Sequence, residues 1–533
     1  MPSALTYPGV YIEELPSGVR TITGVPTSIT AFVGRAWKGP VDDPVRVNSY
    51  ADYERIFGGL WRGSTMSYAV QQFFANGGSQ ALIVRVVNHA DPDGDEASTA
   101  RFSLGNGTSL EAASPGTWGN NLTFAVDDDV HDDPPDPGRF NLTIFDDPQR
   151  KEDALAAGGS GAREVFLNVS VTGDSPRNVL KVLSQQSKLV RVLDDDPGNV
   201  GADVPPDRAL TSLIAAGPPG RDGADIRSAD VLGEEDPPTG IYALRKADLF
   251  NLLCLPPPTL DTDFPPGDGL WNSAAELCRD ERAVFLVDAP ASWEVSAAVT
   301  AVGAGPFGGI GPRSYAALYF PRLRMPDPLA GNQMQDFAPC GVVAGIISRT
   351  DVDRGVWKAP AGIDAALGGV FGFSINETRG NLNDADCGQL NPLGINCLRN
   401  VPGIGPVVWG ARTVDGKDMF ASQWKYLPVR RLALYIEECL YRGTHWIVFE
   451  PNDEPLWAQI RLNIGAFLHG LFRQGAFQGT TPRDAYLVKC DKETTTQDDI
   501  NRGVVNILVG FAPLKPAEFV VIKIQQLAGQ IQT

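Results

Sequence analysis

The sequence lacks a long hydrophobic run and a recognisable export signal. Its longest apolar candidate, residues 341–347, is far shorter than the roughly 20 apolar residues that cross a bilayer. Residues 1–9 contain neither a basic start nor an apolar segment, so we expect no signal peptide. We therefore expect no insertion into a membrane.

An excess of basic residues is also missing. The chain of 533 residues carries 45 Lys and Arg against 64 Asp and Glu, a formal net charge of −19. Like charges repel, so we expect no direct binding of nucleic acid or of an anionic membrane surface. Many of the acidic residues lie between residues 90 and 235 among Pro and Gly, which is typical of a solvated, loop-rich surface.

Cysteine is scarce and odd in number. Seven cysteines are scattered from Cys254 to Cys490, which predicts reduced thiols in a protein made in the cytoplasm rather than a disulfide framework. Cys387 and Cys397 are ten residues apart with no second cysteine beside either and no histidine near. Because structural zinc sites use paired Cys and His ligands, we expect no zinc here.

The chain has only four histidines, and they are far apart in sequence: His89, His131, His445 and His469. We interpret His445, which lies in an apolar run, as a packed strand residue rather than a catalytic base. The sequence leaves open whether histidines converge in space.

Two motifs resemble ligand loops but lack essential residues. The acidic run at residues 91–95 has its Gly displaced and ends at Phe102 where a calcium loop needs Glu. The glycine-rich residues 303–311 lack the Gly-Lys-Ser/Thr ending that holds phosphate. The sequence predicts no catalytic, cofactor-binding or metal-binding residues and no enzyme. The alternatives are a multidomain α/β hydrolase with dispersed site residues and a monomeric acidic binding module.

What the sequence does contain is alternating α and β segments in a chain long enough for two to four domains. Hydrophobic residues make up 43% and charged residues 20% of the chain, so each domain can bury a core. Strands are expected at 28–34, 81–87, 250–255, 283–288, 406–413, 444–449, 485–490, 504–511 and 518–525, and helices at 50–57, from Thr65 to Asn76, at 271–279, 429–441 and 455–474.

Both ends of the chain indicate extended arms. Apolar residues near the amino end are separated by Pro, Gly and polar residues, and 25 such residues could span about 80 Å. A compact body of this length has a radius of gyration of roughly 24 Å, so the arm could reach a neighbouring molecule. The apolar run 518–525 at the other end would recruit a free sheet edge, in its own chain or in a second copy.

Several motifs, spread over both ends of the chain, resemble contractile tail sheath proteins. They are residues 7–14 (YPGVYIEE), 24–36 (GVPTSITAFVGRA), 73–78 (FFANGG), 355–362 (GVWKAPAG), 390–396 (LNPLGIN), 409–413 (WGART), 449–452 (FEPN) and 512–520 (APLKPAEFV). The resemblance covers roughly residues 5–88 and 240–530. It implies a sheath of stacked hexameric discs around an inner tube, which contracts to drive the tube through a target envelope.

With this resemblance, the sequence is interpreted as a mixed α/β (α+β) multidomain fold. The expected parts are an amino-terminal arm (1–28), the first part of a sheath core (29–89), an inserted β-rich acidic outer domain (90–238), a middle α/β domain (239–350), a carboxy-terminal core domain (351–511) and an arm strand (512–533). The implied partners are further copies of the chain, the inner tube, baseplate and tail terminator proteins. Assembly is expected in the bacterial cytoplasm, and the product is part of a virion tail or injection particle.

In that family, arms from both ends add strands to neighbouring subunits. The resemblance together with the apolar pattern predicts the inter-subunit arm residues Val10, Tyr11, Ile12, Val19, Ile22, Phe519, Val520, Val521, Ile522 and Ile524. The expected hinges are Gly18, Gly24, Pro513 and Pro516. The expected tube-facing residues are Arg461, His469 and Arg473 on the helix 455–474, for which packing wholly inside its domain is the alternative.

Overall fold

The computed structural model describes residues 20–88, 95–103, 109–127, 130, 138–146, 163–172, 175–193, 214–215, 218–303, 307–375 and 380–523. The chain divides into two compact units. The larger unit comprises Ser28–Arg349 and Pro360–Ser422. The smaller unit comprises the described parts of Met1–Thr27, Thr350–Ala359 and Gln423–Thr533.

The larger unit begins with an α/β segment. Its elements are β1 (Thr30–Gly34), β2 (Val45–Val47), α1 (Tyr50–Phe57), α2 (Thr65–Ala75) and β3 (Ala81–Arg85). Helix α1 starts where the Ser49 side chain accepts a hydrogen bond from the Asp52 N–H, and it ends at Gly58, whose φ of 92° suits glycine. The strands and helices predicted for this segment are confirmed.

Residues 95–232 form a β-rich region. It contains β4 (Arg101–Ser103), β5 (Ser109–Ala112), β6 (Thr123–Asp127), β7 (Arg139–Phe145), β8 (Arg163–Ser170), α3 (Val179–Gln186), β9 (Val190–Val192), β10 (Ile214–Ala215) and α4 (Ser228–Leu232). Four strands form an antiparallel sheet in the order β10-β4-β5-β9, and β6, β7 and β8 form a second. One apolar cluster that includes Trp118, Phe124, Phe140 and Leu183 is buried within this region. The β-rich texture predicted for residues 90–238 is thus confirmed for the described strands.

The rest of the larger unit returns to α/β alternation. Its elements are β11 (Leu252–Cys254), α5 (Leu270–Asp280), β12 (Val284–Asp288), α6 (Val295–Gly303), β13 (Ala316–Phe320), β14 (Arg322–Asp327), β15 (Gln333–Phe337), α7 (Cys340–Arg354), β16 (Gly372–Ser374), α8 (Asp384–Leu390), β17 (Ile395–Val401) and β18 (Gly405–Val408). Strands β15, β14 and β16 form a small antiparallel sheet.

An eight-stranded sheet in the order β18-β17-β13-β12-β11-β1-β3-β2 organises the larger unit. The six strands from β17 to β3 are parallel, and β18 and β2 are antiparallel at the two edges. All five residues of β1, β3 and β13 are buried, as expected for parallel strands covered on both faces. The sheet therefore joins residues that the sequence analysis divided among the segments 29–89, 239–350 and 351–511.

The smaller unit is mainly helical. It contains α9 (Leu427–Gly443), α10 (Glu454–Arg473), α11 (Pro482–Ala485), β19 (Tyr486–Lys489), α12 (Gln497–Asn501) and β20 (Leu508–Phe511). The predicted stripe of α10 is confirmed, because Trp457, Ile460, Ile464, Leu468 and Leu471 are buried in one cluster with residues of α9. The helices predicted at 429–441 and 455–474 are confirmed.

Four predicted strands differ from the structure. Residues 444–449 do not form a strand; His445–Ile447 is a short 3-10 helix, and His445 is exposed beside the Tyr441 ring rather than packed in a core. Strand propensity needs a neighbouring strand to pair with, and this apolar run has none among the described residues. The strands predicted at 406–413 and 504–511 are shorter, and no strand is assigned over residues 518–523.

Candidate assembly surfaces

The first described residues are anchored to the smaller unit. The Arg20 backbone N–H donates to Asn463 Oδ1 at 3.2 Å, and the Arg20 guanidinium lies 4.7 Å from the centre of the Trp446 ring. Ile22 is 6% exposed and belongs to the core of this unit. The segment that begins at Arg20 is therefore held against the smaller unit, and an arm formed by the preceding residues would start from this anchored segment. An inter-subunit role for Ile22 stays a prediction, and Val10, Tyr11, Ile12, Val19 and Gly18 lie outside the described residues.

A buried ion pair holds Thr27, at the end of this anchored segment. Arg431 on α9 donates two hydrogen bonds to the Asp351 carboxylate, at 2.8 and 2.5 Å, and both side chains are 3% exposed. Arg431 also donates to the Thr27 carbonyl at 2.9 Å, while the Thr27 hydroxyl donates to Asp351 at 2.6 Å. The sequence analysis did not single out these residues. The sequence signal that could have identified Arg431 is a charged residue among the apolar positions of a predicted helix.

Strands β19 and β20 form a two-stranded antiparallel ribbon, from the pair Tyr486–Phe511 to the pair Lys489–Leu508. Within the described part of the chain, neither strand pairs with a further strand. An isolated two-stranded ribbon is marginally stable, and its unpaired backbone edges are templates for strands of another chain. The ribbon therefore presents two edges to which a strand could be added.

The carboxy-terminal tail follows this ribbon, and Glu518 contacts the body of the smaller unit. Glu518 accepts a hydrogen bond from the Tyr426 hydroxyl at 3.3 Å, and its carboxylate lies 3.9 Å from Lys425 Nζ. The next four residues are apolar and 74–81% exposed: Phe519, Val520, Val521 and Ile522. A run of exposed apolar side chains is unusual for a surface and marks an interaction segment. Ile524 lies outside the described residues.

The predicted hinges have different surroundings. A Cβ on Gly24 would lie 2.5 Å from the Tyr435 hydroxyl oxygen, so this glycine permits a close approach to α9. Pro513 forms an isolated bridge with Phe477 and follows Ala512, whose carbonyl accepts from Gln478 at 2.8 Å. Pro516 is half-buried. Hinge motion at these residues stays a prediction.

The predicted tube-facing residues lie on α10 but are not equivalent. The Arg461 guanidinium donates to Glu454 at 2.6 Å and to the Cys490 carbonyl, so it is engaged within its own unit. His469 and Arg473 are exposed near the carboxyl end of the helix, with His469 Nδ1 3.3 Å from the Tyr486 hydroxyl. Two of the three side chains are thus available to a partner.

Asp288 lies at the carboxyl edge of the parallel sheet, where α/β enzymes place their sites. Its Oδ1 accepts from the Cys340 N–H at 2.8 Å, and its buried Oδ2 has no hydrogen-bond partner among the described residues. Burial raises the pKa of this carboxyl to about 6, against opposing hydrogen bonds from Cys340 and the charge of Arg322. The adjoining cavity, also lined by Asp263 and Trp271, has a volume of about 20 Å3. That is room for about one water molecule.

Within the described ranges, no group of three or more His, Cys, Asp or Glu side chains is placed to hold a metal ion. No helix in the described part of the chain is long and apolar enough to span a membrane.

Known proteins resemble this chain in sequence and in fold. A family model described as the phage tail sheath C-terminal domain matches residues 421–526. The tail sheath protein of Burkholderia phage BcepMu is 23% identical over 492 residues, which are 88% of this chain and 87% of that protein. The tail sheath protein of Vibrio phage KVP40 is 25% identical over 182 residues, 34% of this chain and 25% of that protein.

Solved structures share the fold. The sheath of an extracellular contractile injection system, the PVC sheath complex in its contracted state, has a TM-score of 0.56 at 22% identity and covers 98% of both chains. The contracted helical sheath of the anti-feeding prophage has a TM-score of 0.57 at 22% identity, covering 98% of this chain and 100% of that chain. Over residues 421–526 the chain matches the phage tail sheath C-terminal family model, and over most of its length it is similar in sequence and in fold to contractile tail sheath proteins.

Proposed function

We propose that this chain polymerises as stacked hexameric discs around an inner tube and contracts to drive the tube through a target envelope. The observation that carries the proposal is the exposed apolar tail, Phe519 to Ile522, which follows a ribbon whose two edges are unpaired within the described part of the chain. A β-strand added from another copy would cover both the apolar side chains and the backbone edges. Contacts between different surfaces of identical chains propagate into an open helix, which a tubular sheath requires.

In this proposal the two arms tie each subunit to its neighbours while the bodies move. Residues 20–27 and Glu518 supply fixed points from which the arms leave the smaller unit. The proposed hinges are Gly18, Gly24, Pro513 and Pro516, and the β-rich region within residues 90–238 is the proposed outer domain. Arg461, His469 and Arg473 are proposed to face the tube, and Arg461 also donates to Glu454 at the start of α10.

Contraction is proposed to release a kinetically trapped extended state. Each subunit would gain contact area when it rotates into the contracted lattice. A gain of about 300 Å2 of apolar contact, at about 25 cal/mol per Å2, contributes roughly 7 kcal/mol per subunit. Summed over many subunits, this free energy would drive a tube without nucleotide hydrolysis. Tube, baseplate and terminator proteins are the proposed partners, and assembly in the cytoplasm is proposed to precede release.

Electron microscopy of the purified full chain in negative stain tests the proposal. We expect tubes from the unmodified chain and discrete particles after deletion of residues 518–533. A sharper comparison uses Val521→Pro, which removes one backbone N–H from the tail, and Val521→Thr, which keeps a β-branched residue there.

The proline variant should lose tubes and the threonine variant should keep them. Because Val521 is 79% exposed, neither substitution should change the thermal unfolding midpoint. Normal tubes from the deletion or from Val521→Pro would refute strand addition by this tail. Discrete particles from the unmodified chain under all assembly conditions would favour the binding-module or enzyme alternatives.

A further inference from the structure

The larger unit contains a pair of cysteines on adjoining elements. Cys387 lies on helix α8, and Cys397 lies on β17, where it is opposite Phe320 of β13. Cys397 is 1% exposed, whereas Cys387 is half-buried. Side chains alternate along a strand, so Cys397 and Arg399 lie on the same face of β17, and Arg399 Nη1 lies 3.8 Å from Cys387 Sγ. This contact places the two free thiols beside each other, with Cys387 the more exposed of the two.

The surroundings activate the accessible sulfur. Arg399 donates to Asp384 at 2.7 Å and toward Cys387 Sγ at 3.8 Å, and its side chain is 13% exposed. The neighbouring Cys397 thiol and the charge of Arg399 lower the pKa of the Cys387 thiol to about 7, against the effect of burial. The neighbouring Cys387 sulfur and burial raise the pKa of the Cys397 thiol. Asp384 opposes the lowering at Cys387, and Asp386 adds to the raising at Cys397.

We propose that Cys387 and Cys397 form a redox site, in which Cys387 reacts with low-molecular-weight disulfides such as oxidised glutathione and Cys397 resolves the product. A half-buried thiolate beside a fully buried thiol is the arrangement expected of a reactive and a resolving cysteine. The inference is independent of the proposed sheath function, because its chemistry takes place within one chain.

The reaction balances in two exchanges. The Cys387 thiolate attacks one sulfur of oxidised glutathione, breaks its S–S bond and releases one glutathione thiolate. The Cys397 thiol then gives its proton to solvent, and its sulfur attacks the Cys387 sulfur and displaces the second glutathione. Two thiols are oxidised to one disulfide, and one glutathione disulfide is reduced to two thiols.

Closure would join α8 to a strand of the eight-stranded sheet. Trp409 N–H donates to the Cys397 carbonyl at 2.8 Å, so the strand position is held by its neighbour. The short helix would therefore be fixed to the sheet under oxidising conditions and released under reducing conditions. In the reducing cytoplasm the pair stays as thiols, and an oxidising medium closes it.

The sequence offers a direct assay, because residues 380–399 form one tryptic peptide that contains both cysteines. The reduced full chain is treated with oxidised glutathione at neutral pH, acid-quenched, alkylated and analysed by mass spectrometry. We expect this peptide to lose two hydrogens and to carry no alkyl group. The peptide with the buried Cys278, which lies on α5, should remain alkylated.

Variants separate the two roles. Cys397→Ala should accumulate a stable mixed disulfide at Cys387, and Cys387→Ser should leave Cys397 unmodified. Cys439→Ser, at a buried thiol of the other unit, is the matched control and should close the pair at the normal rate. Thermal unfolding identifies any variant that fails to fold. In that case the proposal is tested by disulfide formation within residues 380–399 of the unmodified chain.

The pH profile tests the role of Arg399. At neutral pH a thiol of pKa about 7 has about 50 times the thiolate of one at 9.0 but lower nucleophilicity, giving about a fivefold faster exchange. Arg399→Gln should therefore slow the reaction a few-fold at pH 7 and react at least as fast as the unmodified chain at high pH, where both thiols are ionised, whereas Arg399→Lys should retain most of the rate. A mixed disulfide that persists at Cys387, or a Cys387 no more reactive than Cys278, would overturn the proposal.

Discussion

At the scale of single residues, the buried charges of the smaller unit carry the largest predicted effects. Arg431→Ala leaves the Asp351 carboxylate buried without its cation, which should lower the free energy of unfolding by about 3–5 kcal/mol. Arg502→Ala is the matched control, because Arg502 is 63% exposed and its ion pairs should contribute less than about 1 kcal/mol. Denaturant unfolding measures both. If both variants lost the same free energy of unfolding, burial of the Arg431–Asp351 pair would not be the source of its contribution to stability.

Asp288 makes stability depend on pH. Its pKa of about 6 in the folded chain exceeds the ordinary 3.8, so the folded state binds the proton more tightly than the unfolded chain does. Stability should therefore fall as pH rises from about 4 to about 6 and stay level above that, by roughly 1–3 kcal/mol. Asp288→Asn keeps the acceptor for the Cys340 N–H and should remove this fall, making the variant more stable than the parent above about pH 6.

Denaturation across this pH range measures the effect, and Asp353→Asn, at an exposed carboxylate, is the control. A parallel pH dependence of Asp288→Asn and the parent would show that another group is responsible.

The sequence identified the apolar residues of α10 but not the partners of buried charges. The stripe from Trp457 to Leu471 repeats at helical spacing, so local periodicity was enough to find it. Arg431 and Asp351 are 80 residues apart, and nothing in the spacing of either indicates the other. Exposure of the tail residues was likewise not visible in their composition, because apolar β-branched residues usually predict burial.

At the scale of elements, α7 and α2 pack through two glycines. A Cβ on Gly341 would lie 2.2 Å from the Ala69 carbonyl oxygen, and one on Gly345 would lie 2.6 Å from the Phe73 carbonyl oxygen. Both obstacles are backbone, so Gly345→Ala should separate the helices and cost about 1–3 kcal/mol. Gly465→Ala on α10 meets nothing within 4 Å and should stabilise by about 0.5–1 kcal/mol.

Thermal or denaturant unfolding distinguishes these two alanine substitutions. Stabilisation by Gly345→Ala would mean that the two helices are not held at this close approach.

Elements with strong local signals were predicted, and those that depend on distant partners were not. Helix α1 has a capping Ser49 and a terminating Gly58, and both signals can be recognised in the sequence. The run 444–449 has the composition of a strand but forms a 3-10 helix. Strands need an edge to pair with, and sequence periodicity does not report whether an edge is available.

At the scale of the whole molecule, the order of the eight-stranded sheet exceeded what the sequence could predict. Strand β1 pairs with β3, which is near in sequence, but also with β11, more than 200 residues later, with Thr30 opposite Leu252. The β-rich region between them looked like a boundary because its composition changes there. The chain instead returns to the same sheet after this insertion, so segments on both sides of it contribute strands to one sheet.

The net charge of −19 sets the conditions for assembly of such molecules. Copies that carry the same net charge repel one another, while the proposed contacts of Phe519 to Ile522 are apolar and are not screened by salt. The screening length falls from about 30 Å at 0.01 M salt to about 3 Å at 1 M. Raising the salt concentration should therefore lower the protein concentration at which tubes form, as measured by sedimentation of polymer and microscopy of the pellet.

A control at equal osmolality of sucrose separates charge screening from solvent exclusion, and Val521→Pro should stay unpolymerised in both media. Tubes that dissolve as salt rises would instead mean that complementary charges between copies, rather than the apolar tail, provide most of the contact energy.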